Sequence, residues 1–315
     1  DILPCLSPLP LLCKLVLRDL PLRSMPSLAP LSNLLDLSLI DLVDMEHLPL
    51  GIGNAPVLRS LILRGLIELQ EFSTPLIDLL SSGLHPRRIR HLLIEKCGCR
   101  VPDEISKLVG IEDLWLEDSM DSRGTIIFPE IGRTLTALRN LTVIGYECLG
   151  ALPSDMSGLT SLLRLKVKNV GLENFTSSIG QLTALRQLIL VNVDVEVVPE
   201  ELGLLVNLQV LKFKKCNCLS NIESNIFQTC TKLEKINFSI IEPRPVETLL
   251  FWKLAQMVCF MRNIKSFEIT GGVEEEVEVI AEAFKCWPPH DAQEAMFDDY
   301  FYNLNWRQHE EQSES

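Results

Sequence analysis

The sequence is poor in the residues from which catalytic sites are usually built. Its 315 residues include only five histidines, and none stands beside a nucleophile in a recognised arrangement. The Gly-x-x-x-x-Gly-Lys loop that cradles phosphates is missing, as is the Gly-x-Ser-x-Gly turn of serine hydrolases. We therefore expect neither catalysis nor a bound cofactor, and a binding role instead.

Long apolar runs are also scarce. The most apolar segment, residues 249–261, has 13 residues and contains a lysine, so it is too short and too interrupted to cross a bilayer. The sequence thus predicts no membrane span. No signal peptide is visible, although the chain opens at Asp1 without a methionine, which leaves a removed leader open.

The basic surplus that nucleic-acid binding requires is absent as well. The formal net charge is −13, and residues 271–315 contribute −10 of it, with twelve acidic residues against Lys285 and Arg307. The 270 residues before them are nearly neutral. We expect no nucleic-acid partner.

What the chain does contain is one apolar phrase repeated throughout. The phrase recurs at eleven places. It consists of an apolar residue, two free positions, a second apolar residue, one free position and a third apolar residue. The first members of the eleven copies are Leu12, Leu34, Leu58, Ile89, Ile111, Leu138, Leu162, Leu185, Leu208, Leu233 and Ile264. Eight of the ten intervals, between 22 and 27 residues, match the period of leucine-rich repeats.

Burial explains the period. Alternate residues such as Leu188 and Leu190 point to one face of a short strand, which is too small to hide that face alone. Parallel stacking gives the strands a shared core, and a return segment closes it. The return segments carry Leu152-Pro153 with Met156 and Leu159, Val101-Pro102 with Ile105 and Leu108, and Val198-Pro199 with Leu202 and Leu204; proline ends the ladder because it lacks an N–H.

The sequence thus predicts an α/β leucine-rich-repeat solenoid, a horseshoe with a parallel concave β-sheet and about eleven repeats over residues 1–270. The two longer intervals are predicted to hold helices, at residues 74–84 and 245–261. Residues 271–315 are predicted to form a C-terminal capping helix followed by an acidic, aromatic tail. No comparable cap precedes Leu12, so we expect a fragment of a longer chain or an N-terminal neighbour.

Ten cysteines are present, and two close pairs are Cys97-Gly-Cys99 and Cys216-Asn-Cys218. This one-residue gap is not that of a zinc-binding pair. Cys97 and Cys216 occupy the ninth position of their repeats, where the chain turns, so we expect reduced thiols packed in turns and a cytoplasmic location. Three glycosylation sequons, at Asn140, Asn174 and Asn237, argue the other way, but two lie on the predicted sheet face, where a glycan would crowd.

The outward residues of the predicted strands form the candidate binding surface. One group is an apolar seam assigned to the middle position, comprising Val16, Ile40, Ile62, Leu93 and Trp115. Trp115, flanked by Asp113 and Glu117, is a natural interface anchor, since aromatic side chains carry much of the energy of protein interfaces. The alternative is that the chain's own tail or a missing domain covers it.

The other group is basic and lies on the seventh, ninth and tenth predicted strands. Its members are Arg164, Lys166, Lys168, Lys212, Lys214 and Lys235. Six cations on one face of a nearly neutral array would attract an acidic segment, which could belong to a partner or to the chain's own tail. The alternative is that they are ordinary solubilising lysines.

The phrases LPCLSPLPLLCKLVL, LPLGIGNAPVLRSLIL and YECLGALPSDMSGLTSLLRLKV resemble the repeat region of plant intracellular immune receptors of the nucleotide-binding leucine-rich-repeat (disease resistance) class. The resemblance covers about residues 1–270. It implies a domain that senses pathogen effectors or holds the receptor's own nucleotide-binding module inactive. The chain lacks that module's phosphate loop and Met-His-Asp motif, so these residues cannot perform nucleotide switching.

We therefore expect a non-enzymatic domain that recognises protein through its concave face. The expected partner is a pathogen effector or the receptor's own nucleotide-binding module. Two other functions stay open: an extracellular receptor ectodomain, which glycans on Asn140 and Asn237 would indicate, and a Ras-type or ubiquitin-ligase scaffold adaptor.

Overall fold

The computed structural model describes residues 9–270 with gaps at 51, 53–54, 71, 73–88, 100, 118–130, 147–149, 175, 217, 220, 223–224 and 240–262. The two predicted helices and the predicted capping helix and tail lie outside the described residues. Those predictions are therefore untested.

Eleven strands form one parallel sheet, as the repeated apolar phrase predicts. They are β1 (Lys14–Arg18), β2 (Asp36–Ile40), β3 (Ser60–Arg64), β4 (His91–Glu95), β5 (Asp113–Glu117), β6 (Asn140–Ile144), β8 (Arg164–Val170), β10 (Gln187–Val193), β12 (Val210–Lys214), β14 (Lys235–Ser239) and β15 (Ser266–Thr270). Each begins two residues after the first apolar residue of its phrase. Neighbouring strands pair in chain order with equivalent positions in register, which is the arrangement of a solenoid.

The core lies behind the sheet and is continuous from repeat to repeat. Leu188 and Leu211, which pair in register on β10 and β12, are fully buried. Phe213 stacks on Phe238 of β14, with ring centroids 5.2 Å apart and an interplanar angle of 5°. The predicted shared interior is confirmed.

Return segments close the other side of the core with short elements. In the described part of the chain, three are 3₁₀-helices, at Asp103–Lys107, Ser177–Gln181 and Glu200–Leu204, and one is an α-helix at Asn225–Thr229. Two minor sheets pair β7 (Gly150–Ala151) with β9 (Leu172–Asn174), and β11 (Val197–Val198) with β13 (Asn221–Ile222).

One core residue of the return segments was predicted wrongly. Leu204 is 58% exposed, whereas Leu205 is fully buried. A 3₁₀-helix has about three residues per turn, so the residue that shares the buried face of Leu202 is Leu205. The same spacing of three joins Ile105 to Leu108 and Met156 to Leu159, all of them buried.

A left-handed residue follows the fifth position of most strands. The positive φ angles belong to Asp19, Asp41, Gly65, Lys96, Gly145, Asn169, Asn192 and Lys215. In several of these residues the amide donates to a carbonyl of the next strand, as Lys215 does to Ser239 over 2.6 Å. The chain thus leaves the sheet by one repeated turn, whichever residue stands there.

Replacing Lys215 with asparagine should stabilise the fold. Its φ of 57° strains a lysine, whereas asparagine tolerates the left-handed region. We expect the free energy of unfolding in urea to rise by about 0.5 kcal/mol. The matched control is Lys214→Asn, at a strand position without positive φ, which should give no gain; equal effects at both sites would contradict the explanation.

Three buried thiols pack in the turns and return segments. The Sγ atoms of Cys97 and Cys216 lie 3.6 and 3.5 Å from the carbonyl oxygens of Glu95 and Lys214. Burial raises the pKa of the Cys97 thiol to about 12 and the pKa values of Cys216 and Cys230 to about 11. With pKa values this high, all three are neutral thiols at physiological pH.

These thiols should resist alkylation in the native protein. At pH 8 we expect Cys97, Cys216 and Cys230 to react at least about a hundredfold more slowly than the exposed Cys13, because only the thiolate is nucleophilic. In urea the four rates should converge, as site-resolved mass spectrometry would show. Native rates equal to that of Cys13 would contradict the burial.

The same burial makes stability depend on pH. Because burial raises the pKa of the thiols above 9, the stability that the buried neutral thiols contribute is complete below pH 9 and is lost as pH rises toward 11 to 12.

Candidate protein-binding face

The sheet face opposite the core presents three rows of side chains, from the first, third and fifth residue of each strand. We call these the first, middle and third rows. The middle row runs Val16, Ser38, Ile62, Leu93, Trp115, Thr142, Lys166, Ile189, Lys212, Asn237 and Glu268. Because the pairing is in register, members of one row lie side by side, about 4.8 Å apart from strand to strand.

The predicted apolar seam is correct at four of its five places. Val16, Ile62, Leu93 and Trp115 share the middle row, and each is partly or fully accessible. The assignment of Ile40 was wrong. Ile40 is the fifth residue of β2, so it stands in the third row beside Arg18 and Arg64 and is only 8% exposed, while Ser38 takes the middle place.

Trp115 is half-buried and held by its acidic neighbours. Its Nε1 donates to Glu117 Oε2 over 3.4 Å, and Glu117 also pairs with Lys96 at 3.7 Å. Asp113 lies 2.6 Å from His91 Nδ1 and accepts a hydrogen bond from the Asn140 amide. Glu117 therefore orients the Trp115 ring, while Asp113 connects the side chains of the neighbouring strands β4 and β6.

Lys166 connects the aromatic group to the basic group. Its Nζ lies 5.6 Å from the centroid of the Trp115 ring, a cation–π distance. Both residues occupy the middle row, on β5 and β8, with the short Thr142 between them on β6. Sequence reasoning missed this contact, although the shared row and the small intervening residue are visible once the register is known.

The six basic residues lie on β8, β12 and β14, and the apolar strand β10 stands between β8 and β12. Lys166 and Lys212 flank Ile189 in the middle row, and Lys168 and Lys214 flank Val191 in the third row. Arg164 and Lys235 stand in the first row, where Gln187 and Val210 lie between them. Their role in binding stays a prediction.

Two sequon asparagines have their amide nitrogens engaged on this face. Asn140 Nδ2 donates to Asp113 Oδ1, and Asn237 Nδ2 donates to the carboxylate of Glu268. Asn237 is only 4% exposed. Since a glycan attaches at Nδ2, glycosylation at either position would remove these contacts.

Other kinds of site find no support in the described ranges. There, no three His, Cys, Asp or Glu side chains come together in a way that could hold a metal ion. Within the same ranges, no helical segment has the length and apolar character that a membrane span requires.

Comparison with known proteins identifies the fold and no family. No protein-family model matches the chain, and no curated protein sequence matches it. Among solved structures, the chain is similar to an internalin of Listeria monocytogenes, with 14% identity and a TM-score of 0.51 over 82% of this chain and 76% of that one. At this identity the similarity shows a leucine-rich-repeat solenoid and nothing finer. Such repeat scaffolds usually bind proteins and do not catalyse reactions.

Proposed function

We propose that this chain is a non-enzymatic protein-recognition domain that binds its partner on the three-row sheet face. The observation that carries the proposal is the middle row, in which side chains that alternation places outside the core form a seam of Val16, Ile62, Leu93 and Trp115. Accessible apolar side chains gathered on one face are typical of binding surfaces. A half-buried tryptophan fixed by a hydrogen bond to Glu117 and a cation–π contact with Lys166 would be a pre-oriented anchor.

The finer proposal is the sensor or autoinhibitory repeat region of a plant disease-resistance immune receptor. Its support is the resemblance of the three quoted repeat phrases to that class. Buried thiols at Cys97 and Cys216 fit a reducing, cytoplasmic compartment. The partner would be a pathogen effector or the receptor's own nucleotide-binding module.

Two alternatives make different predictions about the same face. An extracellular ectodomain would carry glycans on Asn140 or Asn237, which the engaged amides and the burial of Asn237 disfavour. A Ras-type or ubiquitin-ligase scaffold adaptor would bind a small GTPase or a ligase subunit.

Site-specific photocrosslinking in plant cells tests the proposal. A photoreactive amino acid replaces Thr142, which lies in the middle row between Trp115 and Lys166. The control replaces Leu204, which is 58% exposed on a return segment. We expect the Thr142 probe alone to capture an immune-receptor module or an effector, identified by mass spectrometry. Equal capture from Leu204 would refute binding by the sheet face, and a captured GTPase or ligase subunit would refute the immune role.

Truncating Trp115 should weaken that interaction strongly. We expect Trp115→Ala to reduce affinity for the captured partner by about 30-fold, the loss of an aromatic hot spot, when measured by titration calorimetry. Trp115→Phe keeps most of the ring and should retain most of the affinity. Unchanged affinity in the alanine variant would show that Trp115 is not the anchor.

A further inference from the structure

Four lysines on the sheet face surround an apolar floor. We call Lys166, Lys168, Lys212 and Lys214 the lysine frame; its floor is Ile189 and Val191 on the strand between them. In the middle row Ile189 lies between Lys166 and Lys212, and in the third row Val191 lies between Lys168 and Lys214. All six side chains are half-buried. The sequence alone identifies the lysines and the apolar strand as separate features, whereas the strand register places the four lysines around Ile189 and Val191.

The frame is short of negative charge. Among the described residues, no carboxylate forms an ion pair with Lys168, Lys212 or Lys214, although ion pairs occur elsewhere on the same face, as between Arg64 and Glu95 at 3.0 Å. The acidic residue of the middle row on this side, Glu268, accepts a hydrogen bond from Asn237. Half-buried ammonium groups without a counter-charge favour an anionic ligand, because desolvation of an unpaired charge is costly.

The dimensions of the frame restrict the ligand. Two strand spacings separate β8 from β12, so the lysines that face each other across the floor are about 10 Å apart at their Cα atoms. Positions i and i+7 of an α-helix are separated by about 10.5 Å along its axis, and residues i+3 and i+4 lie on the same side between them. In an extended chain, residues i and i+4 share a side at about 13 Å, which fits less well.

We infer that the lysine frame binds an acidic amphipathic helix of the protein partner, with two carboxylates seven residues apart on the lysine pairs and an apolar side chain on Ile189 and Val191. This inference rests on the proposed function and names the chemistry of its partner. The middle row continues through Thr142 to Trp115, so the helix lies across the strands and runs toward the tryptophan. A polyanion without apolar groups would leave the floor unused.

Synthetic peptides test the inference on the full chain by fluorescence anisotropy. The first probe is a labelled helical peptide in which two glutamates seven residues apart flank two leucines. The second has the same composition, permuted so that glutamates and leucines fall on opposite faces. The third is polyglutamate of equal charge. We expect the first probe to bind about tenfold more tightly than either of the others.

Matched variants assign the binding to the frame. Lys212→Gln with Lys214→Gln should weaken the first probe about tenfold, whereas Lys107→Gln with Lys215→Gln, which removes the same charge from exposed positions off the sheet, should not. Reversing all four frame lysines to glutamate should abolish binding while circular dichroism stays unchanged. Ile189→Ser should weaken the first probe and leave polyglutamate unaffected.

Several results would overturn the inference. Equal binding of polyglutamate would show that the floor contributes nothing, and equal loss in the Lys107 and Lys215 variant would remove the frame's special role. Much tighter binding after removal of residues 271–315 would assign the frame to the chain's own acidic segment. If the peptides fail while the Thr142 probe still captures its partner, this inference falls and the proposed function stands.

Discussion

The Phe213→Ala variant should lose about 3–5 kcal/mol of unfolding free energy, the range measured when a buried phenylalanine is truncated. Phe213 is 1% exposed and stacks on Phe238 of the neighbouring strand at 5.2 Å. Truncation removes the buried surface of one ring and leaves a cavity beside the other. The loss would appear as a lower urea midpoint in circular dichroism.

Because each repeat contacts mainly its neighbours, the damage should be local. Amides of β12 and β14 should exchange hydrogen faster than those of β2 and β3 in the same variant. Val206→Ala is the matched control, since Val206 lies seven residues before Phe213, is 50% exposed and should change stability by less than about 0.5 kcal/mol. Equal destabilisation by both substitutions would contradict a core shared between strands.

Gly158→Ala should destabilise the chain by about 3 kcal/mol, the upper end for overpacking. A Cβ on Gly158 would lie 2.2 Å from the Arg133 carbonyl oxygen and 2.3 Å from its carbon. The return segments of two consecutive repeats touch here, and the Gly158 amide donates to the Gly132 carbonyl over 2.9 Å. Backbone, unlike a flexible side chain, cannot move aside without breaking that bond.

A second contact keeps these two segments together. Arg133 pairs with Asp155 at 2.7 Å, and hydrogen bonds from Ser157 and then from Arg133 lower the pKa of Asp155 to about 2. The control for Gly158→Ala is Ser154→Ala, at an exposed position of the same segment, which should be nearly neutral. A stable Gly158→Ala variant would mean that the two return segments are further apart than described.

Periodicity was sufficient to predict the strands. Alternation fixes which residues face the core, so every phrase from Leu12 to Ile264 is followed by a strand at the expected place. The return segments were less predictable, because a 3₁₀ turn rather than strand alternation decides which leucine is buried. Leu204 was misassigned for that reason.

Close approaches between repeats could not be predicted from the sequence. Gly132 and Gly158 are 26 residues apart, and nothing in the sequence shows that their backbones touch. The left-handed turn that follows most strands is equally hidden, since aspartate, asparagine, lysine and glycine all occupy it. The candidate face was predictable as a set of residues, but its central contact, Lys166 over Trp115, depends on a register that joins strands two places apart.

The stacked sheet and its binding face both require that outward residues from successive repeats lie in one row. Electron paramagnetic resonance tests this with spin labels at Thr142 and Ile189, attached through unnatural amino acids because the chain contains ten cysteines. The two positions lie two strands apart in the middle row, so we expect strong dipolar broadening at a backbone separation of about 10 Å. The control pair, Thr142 with Leu204, joins the sheet to a return segment and should show much weaker broadening. Absence of broadening between Thr142 and Ile189 would contradict the stacked sheet and the binding face built on it.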